Sequence, residues 1–211
     1  MRKLEDALVD LGRALILQPD DVLYKRARSK ILFSLGRCDQ ALVDVQDIGR
    51  IQKQDEPELE DISKCAFEIE QATNAFMQED WGVAIHYLDS VIPRTEKAID
   101  LAYMRAKSAL GMKDYYGAVS DTGRILKMDG GHIDALQLRG EAYTRLAEHD
   151  MAVKHFREGL KFDPEHKGCK AGHKFVKKIM KYDKKGNDAS ASDQHKEAIG
   201  FWWQAINHDK T

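Results

Sequence analysis

Three residues in the C-terminal half have the types and the spacing of metal ligands. His166, Cys169 and His173 could fall on one helical face and present two imidazoles and a thiolate, a donor set that suits zinc. The sequence shows no fourth ligand, and His166 stands beside Pro164, where a helix ends, so a surface or helix-capping histidine is the stronger reading. His149 and His155 read as a turn residue and a residue on a solvated face. The lysine-rich run from Lys181 to Lys185 reads as a solvated helix end rather than a nucleic-acid patch. The chain has no Gly-rich phosphate loop, nucleophile elbow or paired-carboxylate arrangement, so neither catalysis nor a cofactor is expected. Cys38, Cys65 and Cys169 are odd in number and far apart, and they give no disulfide framework. Recognition is the chemistry that remains, and it depends on the elements that hold side chains in a row.

Those elements repeat. From Lys97 to Asp163 the sequence carries two consecutive copies of one pattern. In the first, Leu101, Ala106, Ala109 and Leu110 form an apolar stripe, Lys113-Asp114-Tyr115-Tyr116 breaks it, and Ala118, Val119, Ile125 and Leu126 form a second stripe. In the second copy, Ala135, Gly140, Tyr143 and Leu146 precede Ala147-Glu148-His149-Asp150, and Ala152, Val153, Phe156, Gly159 and Leu160 follow. Each copy predicts a helix, a tight turn and an antiparallel helix. Ala84, Ala118 and Ala152 each open a second helix at an interval of 34 residues, which is the tetratricopeptide period. Small residues at these places and at Gly140 leave room for a neighbouring side chain.

The bulk numbers agree with an all-α chain. Of 211 residues 43% are hydrophobic, with only 4 Pro and 15 Gly and no persistent strand-like alternation. A net charge of −2 from 33 basic and 35 acidic residues argues against a phosphate-neutralising surface, so no nucleic acid is expected as a partner. No apolar run approaches the length of a membrane span, so no membrane insertion is expected, and the first residues lack a signal-peptide core.

Taken in order, Leu4 to Leu17 is half a repeat that ends at Gln18-Pro19-Asp20, and Val22 to Ile48 is a full one, with Tyr24, Ala27, Ile31 and Leu32 as the apolar residues of its first helix. The register then breaks: Ala41 and Ala84 are 43 residues apart, and the surplus is the charged run Arg50 to Asp61 containing Pro57. A second break, 46 residues from Ala152 to Ala198, holds the lysine-rich stretch Lys167 to Met180 with Phe175, Val176 and Ile179, which reads as a long capping helix. The domain reading is therefore residues 1–50 as the end of one stack, 51–64 as a junction, 65–178 as a second stack of three repeats, and 179–211 as the start of a third. An uncapped stack exposes an apolar face, so the chain is expected to be a fragment of a longer protein. Of the adjacent Trp202 and Trp203, one is expected to pack inward and the other to need a partner.

One block is more specific than the repeat itself. Phe156-Arg157-Glu158-Gly159-Leu160-Lys161-Phe162-Asp163-Pro164-Glu165-His166-Lys167-Gly168-Cys169-Lys170, followed by Lys174-Phe175-Val176-Lys177-Lys178-Ile179, resembles the linker after the sixth repeat in tetratricopeptide co-chaperones that end in a J domain. These are the kinase-inhibitor type of DnaJ homologue, subfamily C. The resemblance extends to Ala75-Phe76 with Asp80-Trp81 and to the spacing of both junctions. A cytosolic relative of the same architecture is similar too, and Lys185-Gly186-Asn187-Asp188-Ala189 fits that branch better. The resemblance implies a protein of the endoplasmic-reticulum lumen that holds unfolded clients on its repeats and recruits Hsp70 through a J domain absent from this chain.

In such an α-solenoid superhelix the first helices line the concave surface. The candidate client-binding residues are Leu23, Arg26, Lys30 and Phe33, then Ile69, Thr73 and Phe76, then Tyr103, Lys107 and Leu110. Asp134, Gln137, Glu141 and Thr144 follow on a more polar and acidic wall. The competing reading for Leu23, Phe33 and Ile69 is plain packing between repeats. A different function, a cytosolic adaptor that reads an Hsp70 or Hsp90 C-terminal tail, needs Asn and basic residues at fixed first-helix positions. Those Asn positions hold Lys30, Thr73, Lys107 and Glu141; only Asn187 fits, and its companion basic position is Asp183. The expected function is thus a non-enzymatic repeat scaffold for unfolded polypeptides.

Overall fold

A computed structural model describes residues 2–52 and 58–209, and among these it contains eleven helices and no strand. Pro57 and part of the first junction lie outside the described residues. The chain folds as two units, 1–130 and 131–211. In the first, α1 (Arg2–Leu17) precedes three hairpins: α2 (Val22–Ser34) with α3 (Cys38–Gln52), α4 (Leu59–Met77) with α5 (Trp81–Val91), and α6 (Ile99–Gly111) with α7 (Tyr115–Met128). In the second, α8 (Ile133–Arg145) pairs with α9 (His149–Phe162), and α10 (Lys167–Ala191) pairs with α11 (His195–Asp209). The fold class is the expected one, an all-α array of helix-turn-helix repeats.

The small residues explain the pairing. Ala41, Ala84, Ala118 and Ala152 are completely buried and Ala198 nearly so. A second series runs along the first helices at the same intervals: Ser29, Ala72, Ala106, Gly140 and Gly186, all buried. At Gly140 an added Cβ would lie 2.7 Å from the Phe156 ring, so the ring of the second helix occupies the space that a side chain on the first would take. The Trp202 indole does the same over Gly186. Of the tryptophan pair, Trp202 is half-buried and Trp203 is exposed, as the sequence leads one to expect.

Every hairpin turns in the same way. Gly36, Glu79, Lys113, Ala147 and Asp193 have φ between 57° and 75°, and they occupy the same place in successive repeats. The next N–H, that of Arg37, Asp80, Asp114, Glu148 or Gln194, donates to the carbonyl five residues earlier at 2.8–2.9 Å, which closes the helix in a Schellman motif. Two of these residues then start the following helix, since the Asp80 and Asp114 carboxylates accept from the Val83 and Gly117 N–H groups. Only the first turn uses glycine. There the backbone is crowded as well as left-handed, because a Cβ on Gly36 would meet Ala98 and Leu101 at 2.8–2.9 Å.

Three expectations need correction. Cys38 and Cys65 form a disulfide, with Cα atoms 5.9 Å apart and both residues buried, while Cys169 is free. Sequence separation concealed the pair because α3 and α4 bring their cysteines into one core with Ala72, Leu88, Val91 and Leu101. On α2 the buried face is Lys25, Ser29 and Leu32, whereas Tyr24 and Ala27 face solvent. The Lys25 ammonium meets Asp47 at 2.9 Å and the Ser29 hydroxyl donates to the Arg26 carbonyl, so polar side chains fill an apolar-looking position. His155 is buried rather than solvated, since it lies on the face of α9 turned to α8. In addition, α10 runs unbroken from Lys167 to Ala191, so the capping helix and the first helix of the last repeat are one element.

Replacing Ala152 by Leu puts three more carbons into a site with no free surface and is expected to cost about 1–3 kcal/mol in urea unfolding. By contrast, Ala147→Gly removes the left-handed penalty in an exposed turn and is expected to raise stability by about 1 kcal/mol in the same measurement.

Candidate functional site

The residues read as a client-binding row all belong to the first unit, on α2, α4 and α6, and the structure sorts them by accessibility. Leu23 is 76% exposed, beside exposed Ala27 and Lys30. Phe33 and Ile69 are half-buried and pack against the core that contains the disulfide; Phe33 also touches the core of Leu32, Ala41, Val45 and Ile62. Phe76 is half-buried, edge-on to Trp81 with ring centroids 5.5 Å apart, and the Lys107 ammonium lies over its face at 5.4 Å. Tyr103 and Leu110 are half-buried on α6. Arg26 meets Glu58 at 3.1 Å. The structure thus brings Phe76 and Lys107 into contact, holds Phe33 and Ile69 in the core, and leaves Leu23 open.

Beneath this face, ion pairs tie the first helix of each repeat to the second. Arg28 grips Asp44 with two hydrogen bonds of 2.5 and 2.8 Å, and Asp44 is 1% exposed. The hydrogen bond from Arg28 and the nearby negative charge raise the pKa of that guanidinium. Arg105 reaches both Asp89 and Asp121 at 2.5 Å, and burial pushes the Asp121 carboxyl up against the pull of Arg105. Arg94 joins Asp61 and Glu68, and the Ser90 hydroxyl donates to the same Glu68. The separation of sixteen residues from Arg28 to Asp44 and from Arg105 to Asp121 carries this signal in the sequence, although periodicity in apolar residues alone does not reveal it.

The positions that an acidic-tail clamp requires are otherwise engaged in most repeats. The Thr73 hydroxyl donates to the Ile69 carbonyl, Lys107 lies on Phe76, and Glu141 accepts from Gln137 at 2.6 Å. Lys30 is exposed. Asp134 and Thr144 complete the α8 wall: Asp134 is 3.5 Å from His166, and Thr144 donates to the Gly140 carbonyl. Asn187 and Asp183 line an open cleft of about 500 Å³ together with Met180, Lys184 and the α9 start at Glu148 to Met151.

The histidine and cysteine set is structural. His166 is the N-cap of α10, its Nδ1 accepting from the Cys169 N–H at 3.3 Å. Burial, with help from Asp134, Glu141 and Asp163, pushes the Cys169 thiol up to about 11, so it remains protonated at neutral pH. No group of His, Cys, Asp and Glu that could hold a metal ion occurs among the described residues, and no helix among them is long and apolar enough to cross a membrane.

The repeat interval, the shared turn geometry and the two series of small buried residues define the class: this is a tetratricopeptide-repeat fold. No family model matches the chain. Among curated proteins it is 32% identical over 214 residues to the DnaJ protein P58IPK homolog of Arabidopsis thaliana, an alignment that covers 95% of this chain and 44% of that one. It is 28% identical over 187 residues to the human DnaJ homolog subfamily C member 3, covering 86% of this chain and 37% of that one. The crystal structure of the P58(IPK) TPR domain matches with a TM-score of 0.76 at 24% identity, over all of this chain and 60% of that one. The chain is similar over most of its length to DnaJ proteins of the P58IPK type and spans less than half the length of these curated relatives.

Proposed function

We propose that the first-helix face of unit 1–130 holds exposed apolar segments of unfolded or misfolded polypeptides, and that a J domain in the full-length protein passes these clients to an Hsp70. The observation that carries this reading is the apolar surface left open among cations. Leu23 is mostly exposed, Phe76, Tyr103 and Leu110 are half-open, and Lys30, Arg26 and Lys107 stand between them. Surfaces of this kind favour many weak apolar contacts over one defined fit, which suits a holder of diverse clients. Phe33 and Ile69 belong to the same row and contribute only the edges that their core packing leaves free. The reading divides the repeats into three stacks, with junctions at 51–64 and near 178.

The homology to P58IPK-type proteins supports this function over the adaptor that reads a chaperone tail, as does the occupation of the clamp positions by Lys30, Thr73, Lys107 and Glu141. We place the protein in the endoplasmic-reticulum lumen. The buried Cys38–Cys65 disulfide favours that assignment, because such bonds persist in oxidising compartments.

Leu23→Ser is expected to lower the affinity for a denatured client roughly fivefold, about 1 kcal/mol of apolar contact, with less suppression of client aggregation in light scattering. Leu23 makes no core contact, so the variant keeps its fold; unchanged suppression, or tighter binding of acidic C-terminal peptides than of clients, removes the reading. For the compartment, protein from its native source, unfolded without reductant and alkylated, is expected to take up label at Cys169 alone. Opening the bond by Cys65→Ser should cost about 3 kcal/mol of stability, judged from the length of loop it closes.

A further inference from the structure

The interhelix rung that joins Arg28 to Asp44 recurs through the chain, and in one repeat its chemistry is inverted. At the same places stand Arg105 with Asp121, Arg139 with His155, and Lys185 with Phe201. Arg28 and Arg105 face carboxylates, and the Lys185 ammonium lies 5.3 Å over the Phe201 ring. In the α8–α9 hairpin a base stands at the place opposite the cation. Tyr143 lies between them: its ring stacks on the His155 imidazole at 5.4 Å with an interplanar angle of 6°, and the Arg139 guanidinium sits over it at 5.6 Å.

The imidazole has one external partner. Its Nδ1 is 3.2 Å from Glu158, which fixes the proton of the neutral ring on Nδ1. The second proton must then enter at Nε2, which is buried and has no hydrogen-bond acceptor. The charges that act on the ring are Arg139 from α8 and Lys154 and Glu158 from α9; no group of α10 is among them. Of these Glu158 alone favours the cation, and its side chain is 37% exposed, so solvent weakens its pull.

We propose that the α8–α9 repeat is a proton-sensitive joint: protonation of His155 sets a buried cation near Arg139, where two other repeats hold an aspartate, and loosens the hairpin in mild acid. Burial first, and then Arg139, lower the His155 pKa from its ordinary value of 6.5. A histidine whose folded pKa lies below its unfolded one contributes stability above pH 6.5 and loses it as the pH falls through that value. The hairpin is thus tight at neutral pH and opens on acidification, while the Arg28–Asp44 and Arg105–Asp121 rungs keep their pairing.

The test is NMR of the intact chain. The His155 ring is expected to titrate below 6.5, and amide exchange in α8 and α9, corrected for its intrinsic pH dependence, to accelerate severalfold between pH 7 and 5. His155→Asp restores the rung found in the α2–α3 and α6–α7 hairpins and His155→Phe keeps a stacked ring that cannot take a proton; both are expected to abolish the acceleration. A His155 ring that titrates at 6.5 or above overturns the proposal without any variant. So does an acceleration equal in the native chain and in His155→Asp.

Discussion

Helix pairs in this chain can be no farther apart than their smallest residues allow, and that closeness governs everything else. A bulky aromatic from one helix needs a missing side chain on its partner, as Phe156 needs Gly140 and Trp202 needs Gly186. Because the small residue recurs once on each helix of every repeat, the same interlock forms again whenever the interval is kept. The intervals of 43 and 46 residues do not disturb it. The extra residues enter as helix length, in the 19 residues of α4 and the 25 of α10, and the series of small buried positions resumes in step on the far side.

Such close pairing leaves little room for water, and the charges trapped between the helices are therefore paired. Asp44, Asp121 and Glu68 are all buried; Asp44 and Asp121 each receive a guanidinium from another helix, and Glu68 receives Arg94 from the turn after α5. A buried pair of this kind adds little net stability, yet removing one member is costly, so it fixes which helix lies beside which. The division of labour follows. Polar rungs set the pairing, apolar layers supply the burial, and outward side chains of the first helices such as Leu23 and Lys30 remain exposed.

The alanine interval, the turn residues and the helix ends were legible because each is a local rule: a small residue at a close approach, an aspartate at an N-cap, a proline after a helix. What could not be read was long-range or depended on partners. Lys25 and Ser29 look like surface residues until Asp47 and the Arg26 carbonyl are placed beside them. His155 looks solvated because its neighbours Lys154 and Arg157 are exposed. The disulfide depends on α3 and α4 meeting across a junction of altered length, about which cysteine spacing is silent. Among the row of candidate residues, composition could not separate open Leu23 from Phe33 and Ile69, whose packing is decided by neighbouring repeats.

The α2–α3 turn does not rest only on the adjoining hairpin. The Lys97 N–H donates to the Ser34 carbonyl at 2.9 Å, and Gly36 sits against Ala98 and Leu101 at the start of α6. A simple array of repeats can fray from its ends one hairpin at a time, since each hairpin touches only the next. Here the first hairpin is fastened by backbone and by sulfur to elements further along, so a load applied anywhere from α2 to α6 is shared by one cooperative block.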